Sequence, residues 1–208
     1  MTILILGATR GVGRQLLGQA LEAGHGVTAF ARTAATLPAQ PRLRVVGGSV
    51  ADDTALLAET MRGQDVVISA LGKGMTLKSE GLIERSVPPI LAAMRASGVR
   101  RLIFTSAIGV GDTLRDAPLF SRLMIRFLLK DIYADKIAGE RHILRSDLDW
   151  TLVQPSQLTD GPLTGTYRAG ERLALRGMPK ISRADTAHFI LNQLNEAAYL
   201  RKVVLISY

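Results

Sequence analysis

Short apolar runs alternate with segments whose hydrophobic residues recur every three or four positions, and the alternation starts at the first residues. Thr2–Leu6 is apolar and partly β-branched, as a strand covered on both faces should be. Val12, Leu16, Leu17, Ala20 and Leu21 then share one helical face, and Gly24 and Gly26 end that helix. Residues 27–30 and 43–46 read as the second and third strands. Asp52 and Asp53 open a helix through Leu56, Leu57 and Met61, and residues 65–69 form a fourth strand. A helix is expected over roughly 86–97, with Pro88 and Pro89 near its first turn, where proline is tolerated. A fifth strand at 101–105 leads into a long helical region. After it come a strand at 150–153, a loop rich in Pro and Gly, a helix from Arg183 and a strand at 203–206.

Strand–helix alternation at this spacing builds βαβ units and a parallel sheet covered on both faces. The expected fold class is α/β: residues 1–208 as a single Rossmann-type doubly wound parallel sheet, three layers α/β/α, with strand order beginning 3-2-1-4-5. A ligand then belongs across the carboxyl ends of the strands, at the switch point between strands one and four.

Composition narrows the chemistry. The 208 residues include no Cys, which removes disulfides, thiolate nucleophiles and Cys-based metal sites. His25, His142 and His188 are far apart in sequence, no metal-ligand spacing occurs, and no metal is expected; none of the three is assigned a catalytic role. A net charge of +8 favours an anionic partner, whereas aromatics at 5% are poor for stacking bases, so no nucleic-acid partner is expected. No run approaches the ~20 apolar residues of a membrane-spanning helix, and residues 1–6 lack a basic flank, so the expectation is a cytoplasmic protein without an integral membrane segment.

The first strand is joined to the first helix by Gly7-Ala8-Thr9-Arg10-Gly11-Val12-Gly13. One glycine permits the tight turn, one lets a pyrophosphate reach the backbone, and one lets helix pack on strand. The helix N-terminus adds free N–H groups and partial positive charge. No GK[ST] closes the loop, so it is not a Walker A turn. An NAD-selective site places an acid about 20 residues on, at the end of strand two, to hold the ribose 2′-hydroxyl. Here that region reads Ala29-Phe30-Ala31-Arg32-Thr33. Arg32, with Arg10 from the turn, matches a 2′-phosphate in charge and geometry, and the expected cofactor is NADP(H).

The GxxxGxG spacing resembles the short-chain dehydrogenase/reductase superfamily, and the resemblance covers nearly the whole chain. It implies that Ser49 and Val50, after strand three, lie against the adenine, and that Ala70, Leu71 and Gly72, after strand four, lie beside the ribose. It also implies that Ser106, ending strand five, faces nicotinamide and substrate. Many members carry Tyr-x-x-x-Lys on the next helix, the Lys holding the nicotinamide ribose and the Tyr passing a proton. This chain has Tyr133-Ala134-Asp135-Lys136, with Ile132 at the strict tyrosine position. Lys136 therefore carries over, nineteen positions before Pro155, while Tyr133 projects about 100° from the required direction and stays with Ser106 and Lys136 as a catalytic candidate through contact with the substrate. The stretch 152–167, with its Pro162-Leu163-Thr164-Gly165 run, and Ile181–Asp185 with His188-Phe189, resemble the atypical branch containing flavin reductase/biliverdin-IXβ reductase. That resemblance adds Pro155 and Gln157 to the cofactor-binding residues. It also departs at one point: the histidine usual after Pro155 is replaced by Ser156 or Gln157.

These readings point to an NADPH-dependent reductase of a small aromatic acceptor, a flavin, quinone or tetrapyrrole, acting as a monomer or weak homodimer. The alternatives are an NADP(H)-binding redox sensor without turnover and a sugar-nucleotide epimerase, the latter disfavoured by the missing Tyr-x-x-x-Lys. Residues 119–130 carry Arg122, Arg126 and Lys130 as a stripe at i, i+4, i+8 amid Leu and Phe. The favoured expectation there is a core-facing helix with snorkelling basic side chains. A cap over the substrate pocket, a membrane surface contact and a subunit contact stay open.

Overall fold

The structure, a computed structural model, describes residues 1–33, 37–74 and 78–208. The elements are β1 Thr2–Leu6, α1 Gly11–Glu22, β2 Gly26–Ala31, β3 Leu43–Gly47, α2 Thr54–Met61, β4 Val66–Ser69, α3 Leu82–Ser97 and β5 Arg101–Thr105. A 3-10 turn at Gly111–Asp116 leads to α4 Leu119–Phe127, α5 Lys130–Leu144, β6 Asp149–Pro155, β7 Gln157–Thr159, β8 Arg168–Gly170, β9 Lys180–Ser182, α6 Arg183–Asn192 and β10 Lys202–Ser207.

The main sheet runs β3-β2-β1-β4-β5-β6-β10-β8, so the order begins 3-2-1-4-5 as the alternation predicts. Its pairs are parallel except β10 with β8, which is antiparallel. β7 and β9 form a separate parallel pair. Because strand side chains alternate, Ile3 and Ile5 of β1 enter one core with α1 and α6, while Leu4 and Leu6 enter the other with α2, α3 and Ile143 of α5. All four β1 residues are fully buried, each worth about 1.5–3 kcal/mol relative to exposure. A charge at any of them would break the central strand of a Rossmann-type α/β fold.

Two sequence expectations are corrected. α3 begins at Leu82, which puts Pro88 and Pro89 inside the helix and past its first turn. The early start comes from elsewhere in the chain: Asp135 of α5 accepts the N–H groups of Ile83 and Glu84 at 3.1 and 2.8 Å. A carboxylate from a second helix thus supplies the cap that Gly81 lacks. α4 is not a core-facing helix. Ile125 is its buried residue, while Leu119 and Phe127 are each 73% exposed and Phe120 and Leu123 are also exposed. Its apolar arc points outward while Ile125 faces the protein, and the exposed Arg122 folds back to donate to the carbonyls of Ala117 and Arg115. No helix among the described residues is long and apolar enough to cross a membrane.

Candidate active site

The glycine turn is built by close approach. Gly7 has φ +88°, and a Cβ there would lie 2.8 Å from the Ala70 carbonyl oxygen. A Cβ on Gly13 would lie 2.0 Å from the Gly7 oxygen, so only glycine lets α1 sit this close to the end of β1. Arg10, the residue before α1, is extended and makes no side-chain cap, and the first turn carries no acid. The first N–H groups of α1 therefore have no side-chain acceptor, which fits a pyrophosphate. Thr9 is half-buried in the turn and Val12 is buried beneath it. Arg183, at the start of α6, borders the turn within 3.8 Å of a Cβ placed on Gly11 and pairs with Asp160 at 2.7 Å.

Beside the turn is a cleft of about 350 Å³ whose lining includes Arg10, Arg32, Gly72, Lys73 and Arg85. The two arginines singled out from the sequence thus face the same space, joined by Arg85 of α3, which sequence reasoning missed. Lys73 is paired with Glu80 at 2.6 Å. Ser49 is tied down locally: its N–H donates to Asp53 and its hydroxyl to Asp52, both at 2.6 Å. Val50 packs half-buried against the α2/α3 core. Ala70 donates its N–H to the Leu6 carbonyl, continuing the β1–β4 pairing past the strand end, and Leu71 packs on the same core as Val50.

At the carboxyl ends of β4 and β5, Ser69, Thr105 and Ser106 bury hydroxyls that make no aligned hydrogen bond within the protein. Such orphaned groups fit a polar ligand lying over the strand ends. Below them stands a buried polar group from α5 and β6. Glu140 is 4% exposed and accepts from Gln154 Nε2 at 3.1 Å. Burial pushes the Glu140 carboxyl up, against the pull of the nearby Ser106 hydroxyl, Gln154 and Lys136. Burial likewise lowers the Lys136 ammonium, against Glu140 and Asp135. Ser106 and Lys136 thus both act on the Glu140 carboxyl. The signal for Glu140 was available: it follows Lys136 by four positions and so shares its helical face.

Tyr133 goes elsewhere. Its hydroxyl donates to the Ile108 carbonyl at 2.9 Å, and burial pushes its pKa up to about 12. Pro155 ends β6, its carbonyl accepting the Ile108 N–H. Gln157 is exposed on β7, its backbone donating to Pro179, and nothing described brings its side chain to the Ser106 group. The Pro162–Gly165 run is held by Asp185, fully buried, which accepts from the Thr164 N–H and hydroxyl, the Gly165 N–H and the Tyr208 hydroxyl. Burial pushes the Asp185 carboxyl up, but those donors, Tyr208 foremost, outweigh it and hold the pKa low. Tyr167 and His188 hydrogen-bond each other at 2.8 Å.

A glycine turn, an uncapped helix N-terminus and orphaned hydroxyls, all at the carboxyl edge of a 3-2-1-4-5 parallel sheet, define a Rossmann protein that binds a nicotinamide dinucleotide. The chain belongs to the NAD(P)H-binding family, whose profile matches residues 7–197. It is similar to the protein "Reductase pytE" of Aspergillus terreus, 27% identical over 257 aligned positions covering 100% of this chain and 98% of that one. Its fold is that of ChuY, described as an anaerobillin reductase from Escherichia coli O157:H7, with TM-score 0.82, 23% identity and coverage of 99% and 96%. It is also that of a short-chain dehydrogenase/reductase from Veillonella parvula DSM 2008 in complex with NADP, with TM-score 0.83, 18% identity and coverage of 100% and 94%.

Proposed function

We propose that residues 1–208 work as one NADPH-dependent oxidoreductase that reduces an aromatic acceptor, a flavin, quinone or tetrapyrrole. The observation that carries this reading is the division of labour at the reactive end. The Ser106 hydroxyl makes no hydrogen bond within the protein, while the Tyr133 hydroxyl is committed to Ile108. That arrangement suits reduction of a conjugated acceptor and not a tyrosine-dependent carbonyl–alcohol exchange.

The backbone of Gly7–Gly13 and the start of α1 hold the pyrophosphate, and Arg10 and Arg32 hold the 2′-phosphate. Ser49, Val50, Ala70, Leu71 and Gly72 border the adenosine half, while Pro155 and Gln157 flank the nicotinamide end. Lys136 holds the ribose beside the nicotinamide, and Ser106 hydrogen-bonds the acceptor. When bound, the reduced cofactor supplies a hydride, which needs close approach and orientation more than a strong acid. The net charge of +8 favours acceptors bearing phosphate or propionate. The names of pytE and ChuY, both reductases, support the reaction class. The absence of cysteine accords with a cytoplasmic protein, proposed as a monomer or weak homodimer.

The test is NADPH oxidation by the purified protein with FMN, a soluble quinone, biliverdin and no acceptor. Acceptor-dependent oxidation is expected with at least one. Tight NADPH binding with no oxidation in any arm would leave a binding module in place of an enzyme.

A further inference from the structure

Single apolar side chains in water are ordinary on a protein surface, whereas a cluster of them marks a place of contact. Among the described residues thirteen large apolar side chains are exposed, and six of them, Leu114, Leu119, Phe120, Leu123, Phe127 and Leu128, fall within one short stretch. Of the five phenylalanines in the chain, Phe30, Phe104 and Phe189 are buried, while Phe120 and Phe127 stand out from α4. Leu119, Leu123 and Phe127 follow one another at i, i+4 and i+8 with Phe120 beside them, and together they form one outward arc opposite the buried Ile125. Arg122 and Arg126 run along the flank of that arc, and Lys130 continues the row; all three are exposed. No acid occurs from Ala117 to Lys130. The acids on either side are engaged, Asp116 with Arg172 at 2.9 Å and Asp131 with the Ser79 N–H at 2.6 Å. Among the described residues Arg126 and Lys130 make no ion pair. Ile125 seats the helix against the loop that leaves β5, its Cδ1 lying 2.6 Å from a Cβ placed on Gly109.

We propose that α4 docks the protein on an anionic lipid membrane, lying in the plane of the surface. The charge of the face decides its occupant. A second copy would set one acid-free basic row beside another, and like charges across a contact repel. The nine residues of α4, about 13.5 Å of helix, are also far fewer than the roughly 20–30 a side of a stable dimer. An anionic bilayer meets both parts of the face at once. The boundary of its acyl chains takes the Leu and Phe arc, and its headgroup phosphates take the Arg126 guanidinium and the Lys130 ammonium. Arg122 contributes less, because it is folded back on the carbonyls of Ala117 and Arg115. The net charge of +8 draws the whole molecule toward such a surface. Docking needs no turnover, so it stands apart from the reductase reading above.

Sedimentation of the full chain with lipid vesicles tests this. Binding to vesicles of phosphatidylcholine mixed with phosphatidylglycerol is expected to be at least about tenfold stronger than to phosphatidylcholine alone, and to weaken in high salt. The double variant Phe120→Ser/Phe127→Ser keeps every charge and should lose about tenfold or more on the mixed vesicles. The double variant Arg126→Gln/Lys130→Gln keeps the apolar arc and should lose about tenfold on the mixed vesicles, with its weak binding to phosphatidylcholine unchanged. Thermal denaturation checks that each variant is folded; should the double phenylalanine variant not fold, Phe127→Ser alone takes its place, with a several-fold loss expected. A wild-type protein that stays in the supernatant with the mixed vesicles overturns the proposal. So does a phenylalanine variant that binds like the wild type, which would mean adsorption by overall charge, and so does equal binding to both kinds of vesicle. A wild-type dimer in equilibrium ultracentrifugation that the phenylalanine variant turns into a monomer makes α4 a subunit contact instead, and overturns it as well.

Discussion

Arg32 stands exposed at the end of β2, where an acid would select the ribose 2′-hydroxyl, and it shares its cleft with Arg10. Arg32→Asp exchanges a phosphate partner for a repelling charge. NADPH affinity is expected to fall at least about tenfold more than NADH affinity, since a charge-assisted hydrogen bond is worth about 1.5–3 kcal/mol; fluorescence titration with both cofactors checks it, and equal losses would refute the assignment. Tyr133→Phe removes one hydrogen bond, to Ile108, at about 0.5–1.5 kcal/mol of stability. Its kcat should stay within a few-fold of wild type, whereas loss of a general acid costs about 10²–10⁴-fold. At this scale the sequence showed the glycine turn, the arginines, Ser106, Lys136 and the misregister of Tyr133. It did not show Glu140, Gln154 and Thr113 as a unit, because their partnership joins α5, β6 and a 3-10 turn that are distant along the chain. Arg85 escaped for the same reason: an arginine in the first turns of a helix looks solvated until the cleft beside it is known.

The elements legible in advance were those whose own residues decide them. β1, β2, β4 and β5 are short segments dominated by buried apolar residues, and α1 has a hydrophobic face of its own. The strands β7, β8 and β9 have three residues each, with Gln, Arg, Gly and Lys among them, and exist because of what they pair with. The start of α3 was equally hidden, since Asp135 sets it from another helix. The loop at Pro162–Gly165 depends in the same way on Asp185, whose carboxylate gathers donors from Thr164, Gly165 and Tyr208. Asp185→Ala leaves those donors unpaired and should cost about 3 kcal/mol in urea unfolding at neutral pH. Because the folded pKa of Asp185 is held below its unfolded value, this contribution is present above about pH 3.9 and lost as pH falls through the folded value. The gap between wild type and variant is therefore expected to close in acid, and a gap independent of pH would contradict the role given to the charge.

Across the whole molecule, a sheet covered on both faces accounts for the buried apolar residues of the core, yet α4 turns Leu119, Phe120, Leu123 and Phe127 away from it. The helix pattern alone could not distinguish inward from outward, because an apolar arc reads the same in both directions. What decides is the opposite side, where Ile125 is the buried residue, while the exposed Arg122 ties the start of the helix to the Ala117 carbonyl. Phe120→Ser and Phe127→Ser, singly or together, should shift folding stability by no more than about 0.5 kcal/mol per site, against about 3–5 kcal/mol for truncating a core phenylalanine. Thermal denaturation of the variants distinguishes the two arrangements.

The place of β10 in the sheet bears on how the chain acquires its structure over time. Among the described strands β10 comes last in sequence, yet it lies between β6 and β8, with Thr151 opposite Lys202 and Ile206 opposite Ala169. During synthesis β6 has an open edge until residues 202–207 emerge, and Ser156 waits for the Ser207 hydroxyl. Tyr208, which follows, brings its hydroxyl to Asp185. The order β3-β2-β1-β4-β5 can be complete once residue 105 is made, whereas this side of the sheet waits for residues 202–207 to pair with β6, about fifty positions behind them, a non-local contact of the kind that slows folding. Until it happens, the Pro162–Gly165 loop lacks part of its anchor, so the nascent protein holds the phosphate turn well before it holds the far side of the sheet.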